Sequence, residues 1–177
     1  MTAASDPALL TLEEWFALGE DESLRRAELC RGVLEVSPSP RREHSGAILS
    51  IAGQLRTQLP AEYQVFHELD VILERRPATV RQPDVVVIRA DAPEPLTAEG
   101  VIVAVEIMSP GSRRRDGVVK RAEYAAAGIR HYWIVDLDGP SAEVLTLVDG
   151  AYEGPTVADR IAVDGLLRLV VDLSALR

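Results

Sequence analysis

Two stretches decide the fold: Pro83-Asp-Val-Val-Val-Ile88 and Val101-Ile-Val-Ala-Val-Glu106-Ile107. Each is an almost unbroken apolar run rich in β-branched residues, which suits a strand covered on both faces rather than one exposed at alternate residues. Such strands lie in the middle of a sheet. After the second run comes a basic, helix-forming stretch at 113–127 that Gly128 closes, and then a further apolar strand at 131–135. Strand, helix and strand in that order make a crossover, so the strands at 101–107 and 131–135 are expected to be parallel. The core reads as α/β.

Working outward, Ile48, Ile51, Leu55 and Leu59 recur every three to four residues after His44, placing one apolar stripe on a helix that Pro60 stops. Residues 63–73 alternate as a strand would, and 28–36 alternate around Gly32 as a strand or tight hairpin before Ser37-Pro-Ser-Pro40 breaks the ladder. Thr11 and Glu14 have the spacing of a capping box, with Gly19 placed to end a short helix. Downstream, 143–148 and the residues from 151 flank Asp149-Gly150, the dipeptide of a two-residue hairpin turn. Residues 166–176 read as a closing strand or short helix. With no internal repeat and no second composition regime, the expectation is one domain over 1–177: an N-terminal arm (1–26), a core (27–137) and C-terminal strands (138–177).

The 177 residues are 47% hydrophobic and 27% charged, an ordinary globular balance. A net charge of −9 supplies no general attraction to nucleic acid or anionic membrane, so any such contact must be local. The lone cysteine, Cys30, excludes an intrachain disulfide framework and a Cys-rich zinc site. Residues 1–10 carry no cationic leader, and the longest apolar run, 101–105, is far too short to cross a bilayer. A soluble, cytoplasmic protein with no membrane partner is expected.

Asp84 opens one apolar run and Glu106 ends the other, so rigid backbone holds each carboxylate where desolvation is costly unless something positive arrives. A divalent cation answers that need: Mg²⁺ takes one or two carboxylates, retained waters and substrate phosphate oxygens. The competing reading is a strand-entry turn at Pro83-Asp84 and a Glu106 that caps or pairs with an arginine. Arg113, Arg114, Arg115, Lys120 and Arg121 then outnumber Asp116, a basic run suited to phosphate. Its alternative is a solvated helix in which Asp116 and Lys120, four residues apart, pair with each other.

The ordered set Pro83-Asp84, Val105-Glu106-Ile-Met-Ser109-Pro110, Asp116, Lys120, Tyr124 and Gly128-Ile-Arg-His-Tyr132-Trp133-Ile-Val-Asp136 resembles the Uma-two-type family of restriction-endonuclease-like proteins. That family falls in the PD-(D/E)XK nuclease superfamily. The similarity extends to Ala27-Glu28-Leu29, Gly32-Val-Leu-Glu35, Ser37-Pro38, His44 and Asp149-Gly150-Ala-Tyr152, covering roughly residues 10–175. It implies a restriction-endonuclease-like core, with a mixed central sheet flanked by helices, an N-terminal helical arm and a C-terminal antiparallel hairpin.

The same resemblance implies a Mg²⁺- or Mn²⁺-dependent endonuclease acting on DNA. In it Asp84, Glu106 and the carbonyl of Ile107 hold the metal, Lys120 orients or activates water, and Arg113, Arg114 and Arg115 grip phosphates. His44 and Glu28 match further family positions, His44 as a contact to phosphate or water and Glu28 as an extension of the acidic cluster. The superfamily's usual lysine lies two residues after the glutamate, where this chain has Met108; a thioether cannot polarise water, and Lys120 is the substitute. Transient DNA contact and a homodimer that cuts both strands follow. The alternative is an inactive nuclease-like fold kept for protein interaction or DNA tethering, with Met108 marking lost chemistry.

Overall fold

The computed structural model describes residues 9–19, 21–109, 111–163 and 168–176. In chain order they form α1 (Leu12–Ala17), a hairpin of β1 (Ala27–Cys30) and β2 (Val33–Val36), and the long helix α2 (Arg42–Arg56). Next come β3 (Tyr63–Phe66), β4 (Val71–Arg75), β5 (Ala78–Arg81), β6 (Val85–Arg89) and β7 (Val101–Met108). A π-helical turn (Arg115–Lys120) runs into α3 (Arg121–Ala126), followed by β8 (His131–Asp136), β9 (Ser141–Val148), β10 (Ala151–Glu153), β11 (Thr156–Val157), β12 (Arg160–Val163) and β13 (Leu169–Asp172).

The main sheet has the order β10-β9-β8-β7-β6-β3, with β11 alongside β9. β7 and β8 are parallel and joined by the helical crossover; the other pairings in this sheet are antiparallel. The fold is therefore mixed α/β, as the two apolar runs require, with β6 and β7 central and covered on both faces. On one face Ile48, Ile51 and Leu55 of α2 pack over Val85, Val105 and Ile107, and the β12-β13 hairpin closes the same core through Ile161 and Val171. On the other, Tyr124 of α3 joins Val86, Ala104 and Ile134. Tyr124 and Tyr132 meet edge to face with ring centroids 5.0 Å apart.

A second sheet, β2-β1-β5-β4, packs against α1 through Leu29, Ile72, Val80, Leu12 and Trp15. The capping box forms: Thr11 Oγ1 accepts from the Glu14 amide, and the Glu14 carboxylate accepts from the Thr11 amide. The β1-β2 and β9-β10 turns share one chemistry. Arg31-Gly32 and Asp149-Gly150 have φ of +50°, +83° and +48°, +82°, the paired left-handed conformation of a two-residue hairpin turn.

The structure departs from the sequence reading in several places. Residues 63–73 are two strands in two sheets, broken where Glu68 takes φ +50°. The helix within 113–127 is interrupted by the π-helical turn Arg115–Lys120 before α3. β5 has no counterpart in the sequence reading, whereas β11 and β12 fall within the C-terminal strands expected over 138–177. Within the closing segment, β13 and a 3₁₀ turn at Leu173–Leu176 are both present, while 166–167 lie outside the described residues, as do residues 1–8 of the arm.

Candidate active site

Antiparallel register brings the two acids together. Val85 pairs with Val105, so Asp84 and Glu106 are the next positions outward on the same edge of the β6-β7 ladder. The Ile107 amide donates to Asp84 Oδ2 at 2.7 Å, which fixes that carboxylate against the end of β7. His44, in the first turn of α2, reaches the same point: its Nε2 lies 3.2 Å from Asp84 Oδ2 and 3.1 Å from the Ile107 carbonyl oxygen. One hydrogen on Nε2 thus faces both oxygens, while Nδ1 is buried with no partner among the described residues.

Glu106 is served from the crossover. Lys120 Nζ donates to Glu106 Oε1 at 2.8 Å and sits 2.8 Å from Glu28 Oε1, and the Tyr124 hydroxyl donates to the same Glu106 oxygen at 2.8 Å. The π-helical turn presents Asp116 and Lys120 to the sheet together; both are buried, and the Asp116 amide donates to the Ser112 carbonyl oxygen at 2.9 Å. Lys120 is the only lysine among 177 residues, whose other 18 side-chain cations are arginines. The sole side-chain ammonium group of the chain is therefore in the acidic cluster.

Charge is unbalanced there. Four carboxylates, those of Glu28, Asp84, Glu106 and Asp116, gather around Lys120. Burial pushes the Glu106 carboxyl well above its ordinary value, with Asp84, Asp116 and Glu28 adding to the push against Lys120. Burial likewise raises Asp116. Burial works against the Lys120 ammonium, but Glu106, Glu28 and Asp116 outweigh it and hold the group protonated. For Glu28 burial is again the largest influence, yet Lys120 and Arg81 reverse it and keep its carboxyl below the ordinary range. Burial lowers His44 and Asp84 more than restores it, leaving the imidazole with a raised affinity for its proton.

The family model Uma2, described as "Putative restriction endonuclease", matches residues 11–174. The chain belongs to that family. A solved structure with the same architecture is a "putative nuclease belonging to DUF820" from Anabaena variabilis; it is 18% identical, with a TM-score of 0.71 over 94% of this chain and 97% of that one. No curated protein matches. At that identity the likeness shows the fold alone, which is nuclease-like.

Restriction-endonuclease-like families generally use divalent metals, so the donor set of this Uma2 chain can be tested against such an ion. Among the described residues no group of three or more His, Cys, Asp or Glu side chains forms a metal cage. What the site offers is two carboxylates, those of Asp84 and Glu106, beside the Ile107 carbonyl, with an excess of negative charge. Oxygen donors in that number suit a hard cation that keeps waters, and the residues fit.

A cleft of about 560 Å³ opens over these groups. Its floor is acidic and its rim carries Arg41, Arg115 and an Arg26 that is paired with Glu68 at 2.6 Å. Of the three arginines expected to grip phosphate, only Arg115 lines the cleft, donating to Ser37 Oγ at 3.1 Å. Arg113 is paired with Asp136 and Asp138 at 2.8 and 2.7 Å, and Arg114 is exposed outside the lining. Met108 follows Glu106 on the same strand face and packs on the Tyr124 core. No helix among the described residues is long and apolar enough to cross a membrane.

Sequence reasoning missed four residues. Tyr124 was assigned to packing, yet its hydroxyl also bonds Glu106. Asp116 enters the sequence reading as a residue of the family resemblance or as Lys120's partner on a solvated helix, and the fold buries it in the site. Arg26 and Arg41 sit in segments with no motif, and only the folded cleft shows them.

Proposed function

We propose that this Uma2-family protein is a Mg²⁺- or Mn²⁺-dependent endonuclease that hydrolyses phosphodiester bonds in DNA. One observation carries the reading. Asp84 and Glu106 converge with the Ile107 carbonyl at the floor of an arginine-rimmed cleft, and the sole lysine stands 2.8 Å from Glu106.

Asp84, Glu106 and the Ile107 carbonyl would hold the ion, which when bound neutralises phosphate charge and lowers the pKa of water. Lys120 stays protonated, so it donates rather than accepts: it orients the attacking water and stabilises charge developing on the phosphate. Tyr124 and Lys120 hold one Glu106 oxygen, which fixes the carboxylate before substrate arrives. His44 keeps Asp84 in place. Arg41 and Arg115 face the strand that enters the cleft, giving local attraction in a chain of net charge −9. One such centre cuts one strand, so a homodimer in the cytoplasm, meeting DNA transiently, is part of the same proposal.

The inactive-module alternative takes Met108 as its ground; the Lys120 ammonium, brought against the same glutamate from the crossover, favours the hydrolytic reading.

The test is a cleavage screen on double-stranded, single-stranded and branched DNA with Mg²⁺, Mn²⁺ or EDTA. Cleavage that needs metal and disappears in both Asp84→Asn and Glu106→Gln is expected. Metal-independent cleavage, or full activity in those variants, refutes it.

A further inference from the structure

Arg81, at the end of β5, does not line the cleft and has no surface exposed. Its guanidinium is nonetheless saturated with carboxylates from three elements. Nη1 donates to Glu28 Oε2 on β1 at 3.0 Å and to Glu35 Oε2 on β2 at 2.7 Å. Nε and Nη2 take Glu123 of α3 in a fork, at 2.7 and 3.0 Å. Glu123 lies three residues beyond Lys120, so the arginine ties the lysine's own helix to the strand that bears Glu28.

A buried ion cluster of this kind is weak support for stability, since apolar replacements of similar volume are often neutral or stabilising. What the cluster enforces is geometry. Glu28 Oε2 is held by Arg81, and its Oε1 by the Gln82 amide at 2.9 Å and by Lys120. Lys120 has two carboxylate anchors, and the other, Glu106, is a metal-binding candidate. We propose that Arg81 is a positioning residue: it locks Glu28 and α3 so that Lys120 keeps an anchor of its own when Glu106 serves the metal. This rests on the hydrolytic reading of Lys120 given above, which is why its test includes a readout independent of cleavage.

Because the chain has one lysine, ¹⁵N-lysine labelling gives a single side-chain signal. The wild-type protein is expected to show a slowly exchanging Nζ resonance with and without Mg²⁺. In Arg81→Met that resonance broadens or disappears, and kcat falls about 10–100-fold, the scale of a misplaced reacting group. The Kd for Mn²⁺ stays within about twofold, because Asp84 and Glu106 are untouched. Should Arg81→Met fail to fold, Arg81→Met/Glu123→Leu removes both members of the forked pair and carries the same expectations. A lysine resonance unchanged from wild type in a folded variant overturns the proposal, as does an unchanged kcat. If the wild-type protein cleaves nothing, the hydrolase reading falls, and the Nζ resonance still decides whether Arg81 orders Lys120.

Discussion

Lys120 and Glu106 come from different elements, a π-helical turn and the end of a central strand, and meet at 2.8 Å. The contact explains how a strand that carries methionine two residues past its glutamate can still have an ammonium group beside it. Met108 and Glu106 point to the same face of β7, so a lysine at either 108 or 120 would approach the same carboxylate.

That equivalence can be measured. Lys120→Met is expected to lower kcat by about 100-fold or more, the range for losing a charged donor at a reacting centre. Adding Met108→Lys to it should restore part of the rate, measured by single-turnover cleavage at saturating Mn²⁺. No gain over Lys120→Met would show that the crossover position does something that the strand position cannot.

Glu106 should trade stability for function. Its carboxyl is raised in the folded protein, first by burial and then by Asp84, Asp116 and Glu28. A raised acid stabilises the fold below the unfolded-state pKa, near 4.5, and that contribution is lost as pH rises through the folded-state pKa. Glu106→Gln is therefore expected to raise Tm at neutral pH and to flatten the fall in stability with rising pH, while abolishing metal binding. Thermal melts in EDTA from pH 4 to 8 check this; a variant less stable than wild type at neutral pH contradicts it.

The legible part of the fold was the part fixed by local pattern. β6 and β7 announce themselves as apolar runs, and because each is bounded by a carboxylate, Asp84 and Glu106 could be picked out before any pairing was known. The α2 stripe and the Asp149-Gly150 turn were equally local. Lys120 was different: only family resemblance singled it out, since a basic run on a helix is ordinarily solvated. Arg81 was invisible because its role depends on β5 pairing with β1, with Leu29 opposite Val80, and no short-range pattern encodes that contact. The split of 63–73 into β3 and β4 was hidden for the same reason. Alternation reports a strand's faces, and says nothing of which sheet receives them.

The rim arginines should behave as phosphate contacts. Arg41→Ala and Arg115→Ala are each expected to weaken DNA binding for every sequence alike and to reduce the slope of log K against log salt by about 0.9. Arg113→Ala, whose guanidinium is occupied by Asp136 and Asp138, should leave that slope unchanged. Binding isotherms at several salt concentrations with catalytically silent Asp84→Asn protein provide the comparison. Equal effects from Arg113 and Arg115 would remove the cleft from the DNA path.

The most direct measurement is the anomalous difference map of a crystal soaked in Mn²⁺. A peak is expected within coordination distance, roughly 2.0–2.6 Å, of carboxylate oxygens from both Asp84 and Glu106. A fully soaked crystal with no peak at that place, or with manganese bound elsewhere while Lys120 still holds Glu106, would contradict it.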